Sequence, residues 1–255
     1  MKNELRRIAS KYFSNEINDV HHFGEEKFLL HIMNLLSNAE AHERPDAYSN
    51  TDNEVLILEH FEFDSSEQRK GSQQQYIEAE CDRKLYEIKE PKNITTWQTP
   101  IEGNYSIANY KKNATKQFLK HYNKINNYKQ ILSAKGIITE NKKVITMFFI
   151  EDTTELGNYY RTGIRGRPVA SIFLPSCDFF LDLFENSPDL DCAICACYSE
   201  NKYILNFINH ASVNRYRKEQ IITEQIEYIS LIPQRIDYVA PLKDIEHPEE
   251  ISYKE

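Results

Sequence analysis

The chain has 255 residues and a formal net charge of -8, with 40% hydrophobic and 12% aromatic residues. That apolar content is enough for a sizeable core and excludes global disorder. The acidic balance excludes a protein whose whole surface grips nucleic acid, while a local basic channel stays open because the local field steers a charged ligand.

The first twenty residues are charged and lack an apolar h-region, which predicts no secretory signal. The apolar runs "VLIL" and "MFFI" are too short to span a bilayer, so no membrane association is expected. Five cysteines, an odd number, suggest reduced thiols and a cytoplasmic setting. Seven glycines form neither GxGxxG nor GxxxxGK[ST], which argues against a phosphate-binding loop.

In chain order, "FGEEKFLLHIMNLLSNAE" predicts a helix, with Glu25, Leu29, Ile32 and Leu36 on one face. "PDAYS" and "EVLILEHFEF" predict two strands joined by the polar turn "NTDN". Residues from Asp64 to Gly71 read as a loop, and "QQQYIEAECDRKLYEIKE" is ambiguous, with strand favoured in its first half. Pro91 to Gly103 reads as irregular, because it holds two prolines and a glycine. One long helix is expected from Asn104 to Ala134, ending near Gly136. "KKVITMFFIED" predicts a strand buried on both faces. "SCDFFLDLFENS" predicts a short helix with Ser176 as N-cap, and "DCAICACYS" and "KYILNFIN" two more strands. This order predicts one mixed α/β domain over residues 1–243, built on a central sheet, and an acidic tail over 244–255.

Two acids carry the chemistry. Asp46 opens one strand, and Glu59 follows four apolar residues in the next, where a buried charge is costly. Across a hairpin the two carboxylates approach one another, and they repel unless a cation lies between them. Two carboxylates with water and phosphate oxygens suit Mg²⁺ or Mn²⁺.

Pro45-Asp46, the hairpin and "VLILEHF" resemble the signature of the PD-(D/E)xK nuclease superfamily, the restriction-endonuclease-like fold. The resemblance covers about Phe23 to Leu132, so the core motif region is 23–135 and residues 140–243 form a C-terminal extension. It implies a metal-dependent nuclease acting on nucleic acid, DNA foremost, in defence or repair, alone, as a homodimer or within a larger assembly. It further implies that Asp46 and Glu59 bind the metal, with Glu25 of the preceding helix assisting. Phe61 stands where that family places lysine, and such aromatic variants look like helicase-linked or defence-related branches. In some family members the lysine has migrated to the following helix.

That helix is basic. Between Asn104 and Thr139 there are seven lysines and no acid. Phe118, Tyr122, Ile125 and Leu132 form the expected buried stripe, and Lys112, Lys116, Lys120 and Lys124 step along another side. Lys124, at the border, is the candidate catalytic lysine, and the others are candidate phosphate contacts. Arg161, Arg165 and Arg167 of "RTGIRGRP" form a second basic group. His121 and Tyr128, at the same margin, and His60 are possible accessory residues.

Plainer readings stand beside these. Asp46 and Glu59 can be turn and strand-edge acids, Glu25 a first-turn acid favoured by the helix dipole, and Lys124 a solvated side chain. His60 should face the opposite side of its strand from Glu59 and pack there. Cys192 and Cys195 read as buried strand thiols, and Glu151-Asp152 as a surface turn. Phe61 favours the alternative of a catalytically inactive module that binds nucleic acid or protein.

Overall fold

This computed structural model describes residues 19–65, 96–102, 107–154, 159–162, 168–171, 174–199, 202–221, 227–230 and 235–241. The chain divides into two compact units, Met1–Ser65 with Ser106–Leu231 and Ser66–Tyr105 with Ile232–Glu255.

Among the described residues the first unit holds β1 (Asp19–His21), α1 (Glu26–Ser37), β2 (Glu40–Ala41), β3 (Ala47–Asn50) and β4 (Glu54–Phe63). Within the second unit lies β5 (Thr96–Glu102). The first unit then continues with α2 (Ile107–Tyr122), α3 (Ile125–Ala134), β6 (Lys143–Asp152), β7 (Tyr159–Thr162) and β8 (Pro168–Ser171). A 3₁₀ turn at Leu174–Ser176 leads into α4 (Asp178–Glu185), β9 (Cys192–Ser199), β10 (Lys202–Asn209), α5 (His210–Ile221) and β11 (Glu227–Ser230). The second unit closes its pair with β12 (Arg235–Pro241).

The main sheet has seven strands in the order β1-β10-β9-β6-β4-β3-β2. It is mixed: β4, β6 and β9 run parallel, as do β1 and β10, while β3 pairs antiparallel with β4 and β10 with β9. The fold is therefore α/β, with helices on both faces. β7, β8 and β11 form a separate three-stranded sheet. Among the described residues, no helix is long and apolar enough to cross a membrane.

β4 sits between β3 and β6, so both of its edges are paired, and with a helix on each face residues Val55 to Glu59 are all buried. Alternation sends Leu56 and Leu58 to the face shared with α1, where Leu29, Ile32, Met33 and Leu36 pack. Each such burial contributes roughly 1.5–3 kcal/mol. The other set, Val55 and Ile57, meets Tyr128 and Leu132 of α3. Glu59 belongs to this second set, two residues beyond Ile57. The same face is closed further along by Phe118 of α2, set edge-on against Phe148 and Phe180 at 5.4 and 5.9 Å.

α3 ends at a glycine for a local reason. Gly136 has φ +69°, its N–H donates to the Ser133 carbonyl, and the Ile137 N–H donates to the Leu132 carbonyl. This pair of bonds satisfies carbonyls at the helix end, and Ile137 and Leu132 pack in one cluster. A Cβ at Gly136 meets no atom within 4 Å, so only the left-handed conformation opposes a side chain. Gly136→Ala is expected to lower stability by about 1 kcal/mol in urea unfolding without changing the slope.

Four expectations need correction. The single helix over 104–134 is two helices, broken at Asn123–Lys124, where the Lys124 N–H donates to His121 three residues back. Asn123 is a poor helix former whose amide competes for backbone groups, and the turn tightens there to a bond three residues back. Part of Pro91–Gly103 is a strand, because β5 finds an antiparallel partner in β12, far along the chain. Pro100 is tolerated there because a two-stranded sheet consists of edges. α4 starts at Asp178 with Cys177 as N-cap, and Ser176 lies in the preceding turn. Asp152 is no surface residue: it is the last residue of β6 and 5% exposed. The ambiguous stretch "QQQYIEAECDRKLYEIKE" and the acidic tail lie outside the described residues.

Candidate functional site

The β3–β4 hairpin brings Asp46 beside Glu59. In the antiparallel register Ala47 lies opposite Leu58, so the next pair outward is Asp46 and Glu59. The turn is closed by Thr51, whose N–H donates to the Glu54 carbonyl at 2.9 Å. The Arg44–Pro45 peptide bond just before Asp46 is cis. Asp46 and Glu59 line one pocket of about 440 Å³, together with Arg44, His60, His121, Lys124 and Tyr128.

Each acid is held by one of its two oxygens. Asp46 Oδ2 accepts the His60 backbone N–H at 2.9 Å. Glu59 Oε1 accepts the Tyr128 hydroxyl at 2.7 Å and lies 2.6 Å from His121 Nδ1. A carboxylate only accepts, so Nδ1 carries the proton and donates. Lys124 Nζ lies 3.7 Å from the same oxygen, on a side chain 42% exposed. Asp46 Oδ1 and Glu59 Oε2 accept no hydrogen bond from the described residues.

The electrostatics of the two acids differ. Glu59 is 5% exposed, and burial pushes its carboxyl up. The hydrogen bonds from His121 and Tyr128, with the His121 and Lys124 charges, outweigh burial and hold it below the ordinary value. Asp46 is raised, chiefly by burial and also by the Glu59 charge, against the opposing His60 N–H bond. The Tyr128 hydroxyl is pushed well above its usual range by burial and by Glu59, so it stays a donor.

The other candidates fall in several places. His121 and Tyr128 reach Glu59 directly. Lys124 does so because the break between α2 and α3 puts it at the α3 N-cap, facing the pocket. His60 faces away from Glu59 along the strand, as alternation requires. Its Nε2 donates to Glu151 at 3.0 Å, a partner that raises it against the lowering effect of burial.

Glu25 is not at this pocket. Its Oε2 accepts the Asn209 amide at 3.0 Å and its Oε1 lies 3.8 Å from Arg215 Nη1. α1 packs on the sheet face opposite Glu59, which separates Glu25 from the two acids, so its expected place as a ligand alongside them does not hold.

Lys112, Lys116 and Lys120 lie exposed along α2. The side chain of Arg161 and all of Arg165 and Arg167 lie outside the described residues. Cys192 and Cys195 are buried strand thiols.

Phe61 is the residue whose role sequence reasoning missed. It shares the face of Glu59, and its ring stacks on His121 at 4.6 Å and 16°. The only sequence signal was the exchange of lysine for an aromatic at that position.

The donor set is hard oxygen, which suits a divalent cation with oxygen ligands. Among the described residues no group of three or more His, Cys, Asp and Glu side chains could hold a metal ion.

These features define an α/β domain with a two-carboxylate pocket at β4, an internal strand of a mixed sheet. No family model matches the chain, and no curated protein or solved structure matches it.

Proposed function

We propose that the first unit is a restriction-endonuclease-like domain that hydrolyses nucleic-acid phosphodiester bonds, DNA foremost, with Mg²⁺ or Mn²⁺ held by Asp46 and Glu59. The observation that carries this reading is the matched state of the two acids. Each has one oxygen tied by protein donors and one oxygen clear, on the same pocket. Asp46 and Glu59 would hold the cation, which would relieve their like-charge repulsion and supply Lewis-acid polarisation of a phosphoryl group and activation of water. Lys124 sets a positive charge beside Glu59, where it orients water and meets negative charge developing on the phosphoryl group. Free buried thiols agree with a cytoplasmic setting.

α2 is the approach for the backbone. Lysines four residues apart on a helix are about 6 Å apart along its axis, and Lys112, Lys116 and Lys120 lead toward Lys124. Replacing the three with glutamine is expected to weaken DNA binding across sequences. The log-log salt slope should flatten by about 0.9 for each duplex phosphate left without its lysine, measured by fluorescence anisotropy at several salt concentrations.

The test of the whole reading is EDTA-sensitive cutting of DNA by the full chain. Asp46→Ala and Glu59→Ala should each abolish it, and unchanged cutting by both removes the proposal.

One observation favours a second reading, a nuclease fold that binds nucleic acid or a protein partner without turnover. Phe61 leaves no lysine on β4, and the Glu59 charge is already compensated by His121, Tyr128 and Lys124. DNA bound but never cut, in Mg²⁺ and in Mn²⁺, selects this reading.

A further inference from the structure

Resting on the two-carboxylate reading above, we infer that the Phe61–His121 stack is a brace that positions Glu59 for cation binding, with His121 as the positioning residue. The terminal torsion of a glutamate is broad, so an unbraced carboxylate swings between many orientations. At Glu59 it does not, because two donors from two different helices converge on a single oxygen. Tyr128 comes from α3 and His121 from the last turn of α2, one on each side of the break at Asn123–Lys124.

The imidazole is itself fixed. It is 8% exposed, and Phe61 lies flat against it at 4.6 Å. Phe148 holds Phe61 edge-on at 5.4 Å and meets Phe118, on the same helix as His121, at 5.4 Å. The plane of the His121 ring is thus tied to the aromatic core under the sheet. Its Nδ1–H aims at Oε1 and leaves Oε2 to face a ligand. Asp46 needs no such device, because a backbone N–H pins it. An acid already oriented binds a cation without losing that torsional freedom on binding. Donors behind a metal ligand typically change metal affinity 10–100-fold when removed.

The experiment titrates Mn²⁺ into the full-length chain by calorimetry and by the loss of the free-ion EPR signal, with melting curves alongside. His121→Phe keeps a ring for Phe61 and removes the donor. His121→Asn keeps a donor near the position of Nδ1. Phe61→Leu keeps an apolar contact and removes the stack.

The expected result is Mn²⁺ binding that Asp46→Asn and Glu59→Gln abolish. His121→Phe should weaken it roughly 10–100-fold, and Phe61→Leu and His121→Asn, which each lose the stack but keep a donor at position 121, by about 3–10-fold. A purely structural role lowers the melting temperature of His121→Phe without moving Mn²⁺ affinity, and that result overturns the inference while the metal reading stands. His121→Asn as weak as His121→Phe also overturns it. Should His121→Phe fail to fold, the other two variants decide: Phe61→Leu or His121→Asn unchanged overturns the brace, and both weakened by about 3–10-fold supports it. No Mn²⁺ binding in the natural chain, or binding insensitive to both acid variants, overturns the proposed function and this inference with it.

Discussion

Glu59→Gln is expected, on the proposed nuclease reading, to reduce DNA cleavage by about 10²–10³-fold or more while leaving a folded protein. The amide is close to the carboxylate in shape, and its oxygen can accept the same two bonds, from His121 Nδ1 and the Tyr128 hydroxyl. Two things change. The negative charge that offsets a cation disappears, and an N–H₂ donor replaces Oε2 at the pocket. A donor repels a cation where an acceptor bound it. The stability cost should be modest, about 1–2 kcal/mol, because charge-assisted bonds become neutral ones. Cleavage gels with and without EDTA, read beside thermal melts, separate the two effects. A Glu59→Gln protein that cuts at the natural rate sinks the metal site.

Asp152→Asn carries the second large effect, and it concerns stability and not cleavage. Burial pushes the Asp152 carboxyl up to about 6, against hydrogen bonds from the Tyr110 hydroxyl at 2.7 Å and from the Thr154 N–H at 2.9 Å. A carboxyl raised in the folded state binds its proton more tightly there than in the unfolded chain. Stability is therefore higher in acid and falls as pH rises from the unfolded value near 4 through about 6. Asparagine removes the ionisation and can still serve both partners, its oxygen accepting from Thr154 and its amide donating to the Tyr110 oxygen. The variant should gain on the order of 2 kcal/mol over the natural chain between about pH 4.5 and about pH 8. Urea unfolding at the two pH values checks this, and an equal difference at both contradicts it. The sign is opposite to that of Glu59, whose lowered carboxyl adds stability that is lost as pH falls.

Much of the site was legible before any coordinates. The turn "NTDN" and the apolar run before Glu59 define the hairpin, and a period of two then sets Glu59 against Asp46 and turns His60 away. Lys124 emerged from a count of charges along a helix, and it does reach Glu59. The continuous helix that put it there was wrong in detail. The apolar stripe through Phe118, Ile125 and Leu132 continues across the break, so periodicity alone does not reveal it. Glu25 had the right face of α1, but α1 covers the other side of the sheet, and no helical period says which side a helix takes.

By itself the sequence determined what local physics controls: the apolar strand β4, the hairpin that pairs two acids, the end of α3 at Gly136, and the acid-free lysine row of α2. Only the tertiary structure decided what depends on partners distant in the chain. It laid Phe61 against His121, tied one oxygen of Glu59 from two helices, buried Asp152 against Tyr110, and paired β5 with β12. The physical reason is range. Turn chemistry and side-chain alternation act over a few residues, whereas these contacts join positions 42 to 69 or more residues apart, and packing alone selects them.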